Sequence, residues 1–121
     1  MGRRGFTLIE VLIVLFILGL LAALLTPIAL RVRARAHDAA AMLVLREAVL
    51  AETAFALRAG RYAHDLAELG AVGFRPRAGV ELRVLAGGRA YCLASRHPRG
   101  TRWFVASDRA GPHPSGAPAC R

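Results

Sequence analysis

The sequence predicts an α+β fold in which one long N-terminal helix packs on a small antiparallel sheet of about three strands. Residues 11–30 are uncharged and residues 32–59 contain neither proline nor glycine, so both segments favour helix. From Val80 onward, apolar and charged residues alternate with the period of a strand. Two cysteines, Cys92 and Cys120, are placed so that a disulfide could bound a C-terminal loop. The first half of the helix is predicted to span a membrane and the second half to be amphipathic.

The uncharged run from Val11 to Leu30 predicts the membrane span. Its 20 residues, at about 1.5 Å each, match the roughly 30 Å hydrocarbon core of a bilayer. Glu10 stands at the start of this run. A carboxylate held in apolar surroundings is usually functional, whereas one at the headgroup level costs little, and position alone leaves both interpretations open.

The residues in front of the span form the motif Gly-Phe-Thr-Leu-Ile-Glu at positions 5–10, preceded by Arg3 and Arg4. This order of residues resembles the class III signal of type IV pilins. The resemblance implies that a prepilin peptidase on the cytoplasmic face cuts after Gly5 and that the new amino group, on Phe6, is methylated. Glycine suits this position because a missing side chain removes steric obstruction in a protease cleft.

Two other export signals share some of these features. An ordinary secretory signal has a basic region and an apolar core, and a twin-arginine signal begins with a pair like Arg3 and Arg4. No A-x-A cleavage pattern follows the apolar run, and the length of the run and the presence of Glu10 argue against both signals. The pilin-like interpretation is therefore favoured.

The resemblance to pilins also implies a domain organisation and an assembly mechanism. Residues 1–5 would be the leader, residues 6–30 the transmembrane and filament-core helix, and residues 31–121 a periplasmic or extracellular globular domain that includes the second half of the helix. The subunit would wait in the inner membrane with its N-terminus in the cytoplasm. Assembly machinery would then polymerise it into a homo-oligomeric helical filament outside the cell. Glu10 would pair there with the Phe6 amine of a neighbouring subunit, because a buried charge becomes tolerable once partnered.

Adhesion, twitching motility and DNA uptake in natural transformation are the roles that such a fibre implies. A minor pilin, a pseudopilin of type II secretion and a DNA-binding pilin of a competence system would share the architecture. The intact Glu10 and a C-terminal disulfide favour a pilus subunit over tip-like subunits and pseudopilins. A membrane-anchored domain that never assembles is a further alternative. The positive-inside rule does not decide the orientation, because arginines flank both ends of the run.

The long helix should be flexible at Gly19 and Pro27. Proline lacks the N–H that a helix interior needs, and glycine costs about 1 kcal/mol relative to alanine. Close packing of membrane helices is the alternative explanation for Gly19. Gly60 is the predicted end of the helix. The apolar arc predicted to cover the sheet comprises Met42, Leu43, Leu45, Val49, Leu50, Ala56 and Leu57.

Between the helix and the sheet, Asp65 is predicted to cap a short helix. The neighbouring His64 also suggests a metal or catalytic site. No third ligand or nucleophile follows at a recognisable spacing, so a structural turn is favoured.

Three strands are predicted, over residues 80–84, 89–95 and 101–107, with a Gly-Gly hairpin turn at 87–88. Residues 108–121 are rich in glycine and proline, so no regular structure is predicted there.

The two cysteines form either a disulfide or a pair of reduced thiols. Pairing of Cys92 with Cys120 is favoured because an even pair follows an export signal. In the chain-entropy model such a bridge contributes about 3.6 kcal/mol. Type IV pilins carry a similar disulfide-bounded loop, and Tyr91-Cys92 with residues 101–106 resembles the short pilins of thermophilic bacteria.

All 17 basic residues are arginine, and the formal net charge is +9. Loss of Arg3 and Arg4 with the leader would leave +7, since 9 minus 2 is 7. Such a surplus suggests a polyanionic partner, whether nucleic acid, anionic lipid or acidic glycan. Arg96, Arg99 and Arg102 are the candidate DNA-binding residues. A solvated basic surface is the alternative, because no aromatic residues interleave a clear groove.

No enzyme is predicted. The sequence lacks a phosphate-binding glycine loop, metal-ligand spacing and a spaced nucleophile, base and acid, so neither a cofactor nor a metal is expected. The protein is instead predicted to be the substrate of a prepilin peptidase.

Overall fold

Helix α1 begins at Leu8 and ends at Ala59. It continues through Gly19 and Pro27, so neither residue ends it. Gly60 follows with a φ of +74°, a left-handed conformation that glycine adopts without strain, and stops the helix as predicted.

The structure is a computed structural model that describes residues 5–120, so the leader arginines Arg3 and Arg4 lie outside the described residues. The chain divides into two compact units between Arg33 and Ala34, and α1 contributes to both. Every described residue of the first unit is exposed. By length and composition, α1 contains a segment apolar enough to cross a membrane.

The second half of α1 packs on the sheet through a face that overlaps only partly with the predicted arc, since Leu45 is buried and Met42 and Val49 pack against the core as predicted. Its buried residues are Ala41, Val44, Leu45, Ala48, Ala51 and Glu52. Leu43, Leu50 and Leu57 are instead 42%, 71% and 85% exposed, so the prediction that they cover the sheet is wrong. The buried alanines of α1 share one core with the larger strand residues Leu82, Leu93 and Phe104.

The segment after α1 forms a capped turn. Helix α2 (Leu66–Gly70) is capped as predicted by Asp65, whose carboxylate accepts the N–H of Glu68 at 2.8 Å. The Glu68 carboxylate accepts the main-chain N–H of His64 at 2.8 Å and pairs with Arg61 at 2.7 Å. Hydrogen bonding from Arg61 is the main reason that the pKa of Glu68 is lowered to about 2. His64 thus contributes its backbone to a structural turn.

The sheet has four antiparallel strands in the order β1–β2–β3–β4, which are Glu81–Ala86, Cys92–Arg96, Trp103–Ser107 and His113–Ser115. Leu93 and Phe104 belong to the core that the sheet shares with α1. Ser95 is also buried and donates its hydroxyl hydrogen to the carbonyl of Ala41 at 2.7 Å. The predicted α+β fold is confirmed.

The connection between β1 and β2 differs from the predicted tight hairpin. Gly88 pairs with Tyr62 of the segment after α1, with hydrogen bonds in both directions. Residues near Gly88 are therefore drawn away from β2, which begins at Cys92 and not at residue 89.

Both edge strands are irregular. β1 carries a bulge between Val84 and Ala86. β4 lies in the segment for which no regular structure was predicted, and its Pro114 pairs with Phe104 of β3. Proline cannot donate to a ladder, and it is tolerated here because β4 is an edge strand.

Cys92 and Cys120 form a disulfide that joins positions 28 residues apart. The bridge ties the segment after β4 to β2, and the predicted pairing is confirmed.

Candidate functional site: assembly motif and cationic surface

The predicted processing motif lies in exposed, non-helical chain directly before α1. A side chain added at Gly5 would meet no atom within 4 Å, and Phe6 is 81% exposed. Regular structure begins only at Leu8. The peptide bond between Gly5 and Phe6 therefore has the exposed setting in which proteolytic sites concentrate.

Glu10 takes part in a capping box with Thr7. The Thr7 hydroxyl accepts the main-chain N–H of Glu10 at 3.3 Å, and the Glu10 carboxylate accepts the main-chain N–H of Thr7 at 3.4 Å. This reciprocal pair is the signature of S/T-x-x-E at a helix N-terminus. The sequence reasoning missed it, although the spacing of Thr7 and Glu10 carries the signal. The carboxylate is consequently held beside the first turn of the helix.

The remaining surface of the first unit is almost wholly apolar. Its large exposed hydrophobic side chains between residues 11 and 32 are Val11, Leu12, Ile13, Val14, Leu15, Phe16, Ile17, Leu18, Leu20, Leu21, Leu24, Leu25, Ile28, Leu30 and Val32. A side chain added at Gly19 would meet no atom within 4 Å. Beside Pro27, the Thr26 hydroxyl donates to the carbonyl of Ala22 at 2.8 Å. This much exposed apolar surface requires lipid or protein to cover it.

The loop between β2 and β3 is fastened to α1 by Asp38. The carboxylate accepts the N–H of Thr101 at 2.7 Å and the Thr101 hydroxyl at 2.5 Å. A Cβ atom at Gly100 would lie 2.5 Å from Asp38 Oδ1, so a larger residue here would displace the Asp38 carboxylate from its hydrogen bonds with Thr101.

Two histidines add a second contact between the same loop and α1. The rings of His37 and His97 stack with centroids 4.0 Å apart. His97 Nδ1 accepts the main-chain N–H of Arg99 at 3.0 Å, so this nitrogen is unprotonated in the structure. Burial, followed by the proximity of His37, lowers the pKa of His97.

An aromatic ring lies among arginines on the outer face of the sheet. The guanidinium carbons of Arg83 and Arg96 are each 5.1 Å from the centre of the Trp103 ring, within range of a cation–π interaction. Arg83 also pairs with Glu81. Ser95 pairs with Phe104, so Arg96 and Trp103 are the next opposed residues across β2 and β3.

A cavity of about 300 Å³ adjoins this cluster, and we call it the Trp103 cavity. Its lining comprises Arg96, Pro98, Gly100, Thr101, Arg102, Trp103, Ser115 and Gly116. The structure therefore brings Arg96 and Arg102 together, whereas Arg99 does not line the cavity. The sequence did not lead to a prediction that Trp103 belongs to this site, although its position directly after the arginine-rich turn could have indicated such a role.

Glu52 is a second residue that the sequence reasoning did not identify. It is fully buried, and its Oε2 accepts the N–H of Ala63 at 2.8 Å. Among the described residues, Oε1 has no hydrogen-bond partner. Burial is the main cause that raises the pKa of Glu52.

Comparison with known proteins gives two matches. Residues 1–26 match the family model described as the prokaryotic N-terminal methylation motif. The chain is also 36% identical over 112 residues to the type IV wide pilus major component PilA4 of Thermus thermophilus, covering 91% of this chain and 86% of the other.

Proposed function

This chain belongs to the type IV pilins, and we propose that it is a structural subunit, not an enzyme, that is polymerised through its N-terminal helix into a pilus fibre. One observation carries the proposal: every described residue of the first unit is exposed and nearly all of that surface is apolar. Such a surface is suited first to a bilayer and then to the helices of neighbouring subunits.

We propose that residues 1–5 are the leader, residues 6–30 the membrane and filament-core segment, and residues 31–121 the exposed domain. Prepilin peptidase would cut after Gly5, and the new amine of Phe6 would be methylated. Before assembly the subunit would cross the inner membrane once with its N-terminus in the cytoplasm. The exposed, non-helical setting of Gly5 and Phe6 supports cleavage at this bond.

The processing step is tested by Gly5→Leu, with Gly2→Leu as a matched control inside the leader. We expect Gly5→Leu to leave an uncleaved precursor, because the added side chain obstructs the protease cleft. Immunoblotting for chain size and mass spectrometry of the N-terminus measure this. Mature protein at normal abundance in Gly5→Leu would overturn the assignment.

Assembly is proposed to depend on the charge of Glu10, which would pair with the Phe6 amine of a neighbouring subunit. The capping box with Thr7 supports a defined position for this carboxylate at the start of α1. In a fibre core, an unpaired carboxylate would be costly, so only the register that pairs it would be favoured.

Glu10→Gln separates the charge from the cap, because glutamine also serves in a capping box. We expect normal cleavage and no fibres, measured by sheared-fibre yield and electron microscopy. Thr7→Ala is the control: it removes the hydroxyl cap, at a cost of about 1 kcal/mol, and should retain fibres. Abundant fibres from Glu10→Gln would contradict the pairing, and fibre loss from Thr7→Ala would show that assembly also requires the cap.

We propose a major fibre subunit, because the matched relative is a pilus major component. This subunit would serve adhesion, motility or DNA uptake through the fibre. A minor pilin or pseudopilin would be scarce in sheared surface fibres, so quantitative mass spectrometry of those fibres distinguishes them.

A second candidate function is contact between the fibre and DNA. Its specific support is that Arg96 and Arg102 line one cavity with Trp103, and no described lining residue is acidic. Arginine in such a setting recognises phosphate.

A further inference from the structure

We propose that the Trp103 cavity binds single-stranded nucleic acid, with an unpaired base on the Trp103 ring and phosphates on Arg96 and Arg102. This inference rests on the second candidate function above and names its site and its substrate class. Proteins that bind single strands combine a cationic groove with an aromatic side chain on which bases stack.

The charge of the cavity favours an anion. In the part of the chain that the structure describes, neither Arg96 nor Arg102 has a carboxylate within 4.0 Å. Glu81 is the nearest acidic residue by register, as the cross-strand partner of Arg96, but its carboxylate is engaged by Arg83. The two guanidiniums at the cavity are therefore available for phosphate, which matches their paired donors.

The Trp103 ring would add a stacking contact with a base, which the charge of the arginines alone does not provide. Trp103 is half-buried and lines the cavity, and the guanidiniums of Arg83 and Arg96 both lie over its ring without being neutralised by it. A base that stacks on Trp103 would take the place of one of these guanidiniums, which would then be released to a phosphate of the same strand.

The surroundings of the cavity are also fixed. Asp38 holds Thr101 through two hydrogen bonds, and His37 stacks on His97. Both contacts join the loop between Arg96 and Trp103 to α1, so the two residues at its ends are positioned by packed elements. A site on a supported loop keeps its geometry when the ligand arrives.

The shape of the cavity favours an unpaired strand. The depression of about 300 Å³ has room for one nucleobase. In a duplex the bases are stacked inside and cannot reach an aromatic side chain without being unstacked. Duplex DNA would therefore engage only the arginines, and single strands would gain the stacking contact.

The experiment uses the full chain in micelles of a neutral detergent. Trp103 is the sole tryptophan of the protein, so its fluorescence reports on the site directly. The probes are a 20-nucleotide oligothymidylate, a duplex of equal length and polygalacturonate. We expect oligothymidylate to quench Trp103 and to bind more tightly than the duplex, whereas polygalacturonate should compete weakly at equal charge.

Variants assign the contacts, with binding followed by fluorescence anisotropy of labelled oligothymidylate. Trp103→Leu should weaken single-strand binding roughly 5- to 140-fold, the range of one base–aromatic stack, and leave duplex binding unchanged. Trp103→Phe keeps an aromatic ring and should retain most of the affinity. It is the control for the case in which Trp103→Leu loses affinity because it misfolds. Arg96→Gln or Arg102→Gln should reduce the slope of log affinity against log salt by about 0.7 each, whereas Arg58→Gln should not.

Three outcomes would overturn the inference. They are equal affinity for single strand and duplex, unchanged single-strand binding by Trp103→Leu, and stronger quenching by polygalacturonate than by oligothymidylate. Absence of any DNA binding would overturn both the second candidate function and this inference, whereas duplex binding without a preference for single strands would overturn this inference alone. Fibre yield is also measured for Trp103→Phe and Arg96→Gln. The assembly proposal predicts normal piliation for both variants, so a defect in DNA binding can be distinguished from a defect in assembly.

Discussion

At the scale of single residues, the buried carboxylate of Glu52 finds a hydrogen-bond partner for only one of its two oxygens among the described residues. One oxygen accepts the N–H of Ala63 and the other has no partner among the described residues. Ala63 follows Tyr62, which pairs with Gly88 beside the sheet. Glu52 therefore fixes the segment after α1, at the expense of burying a charge.

Because burial raises the pKa of Glu52, its ionised form is disfavoured in the folded state. Stability should be greatest below the unfolded value near 4.5 and should fall as pH rises towards the folded pKa. We expect Glu52→Gln to be more stable than the wild type at pH 8, because the neutral amide avoids the cost of ionising a buried carboxyl group and its oxygen still accepts from Ala63. The difference should vanish at pH 4.

Thermal unfolding of the full chain in neutral detergent, followed by circular dichroism, measures this effect. Glu47→Gln is the control, since Glu47 is a partly exposed residue paired with Arg77. A Glu52→Gln variant that is equally destabilised at both pH values would contradict the role assigned to burial.

The sequence identified some site residues and missed others for physical reasons. The motif that contains Gly5, Phe6 and Glu10 is one continuous stretch of sequence, so it could be recognised without knowledge of the fold. Trp103 and Arg96 meet only because β2 and β3 pair in one register, and sequence spacing does not specify that register. The burial of Glu52 was not predicted because a charged residue on a helix is ordinarily solvated.

At the scale of elements, the loop between β2 and β3 depends on a neutral histidine. His97 accepts the N–H of Arg99 through Nδ1 and stacks on His37, while Arg99 lowers and Asp38 raises its pKa. Protonation would remove the acceptor and set a positive charge against a second imidazole. The loop should therefore be held less firmly in acid.

Since the folded pKa of His97 is lowered, its stabilising contribution is present above the unfolded value near 6.5 and is lost as pH falls through the folded pKa. We expect residues 97–101 to exchange amide hydrogens faster at pH 5 than at pH 8, after correction for intrinsic rates. Hydrogen exchange with mass spectrometry measures this.

His37→Gln should weaken the pH dependence of the loop, because the second imidazole is gone. His64→Gln is the control, since His64 belongs to the capped turn at α2 and not to this loop. An identical pH response in the wild type and His37→Gln would contradict the contribution of the stacked pair.

The elements themselves were largely predictable, whereas the buried face of α1 was predicted only in part. The length of α1 follows from composition and from Gly60, but its buried face includes Ala41, Ala48 and Ala51, which a ranking by hydrophobicity does not select. Leu50 is more hydrophobic than the buried alanines, yet its side chain is exposed to solvent. β4 was missed because local composition around Pro114 opposes a strand, and pairing with β3 overrides it.

At the scale of the whole molecule, Leu43, Leu50 and Leu57 form a stripe that the chain's own sheet does not cover. In a pilus, neighbouring subunits would cover it. We expect the double change Leu50→Ser and Leu57→Ser to leave monomer stability within about 0.5 kcal/mol, because these side chains are already exposed. Fibre yield should fall.

Thermal unfolding in neutral detergent and sheared-fibre yield are measured on the same variants. Leu45→Ser is the matched control: Leu45 is fully buried, so its loss should destabilise the monomer by about 2–5 kcal/mol. Normal fibre yield from the double variant would show that the stripe faces solvent in the fibre.

The irregular edges of the sheet bear on which kind of polymer this subunit can form. An exposed regular edge is a template for strand addition and amyloid-like aggregation, a hazard that grows when identical chains are concentrated side by side. Here the bulge after Val84 disrupts one edge, and Pro114 in a three-residue strand withholds a donor at the other. Growth through the strands is thereby discouraged, which is consistent with the proposed polymerisation through the N-terminal helix.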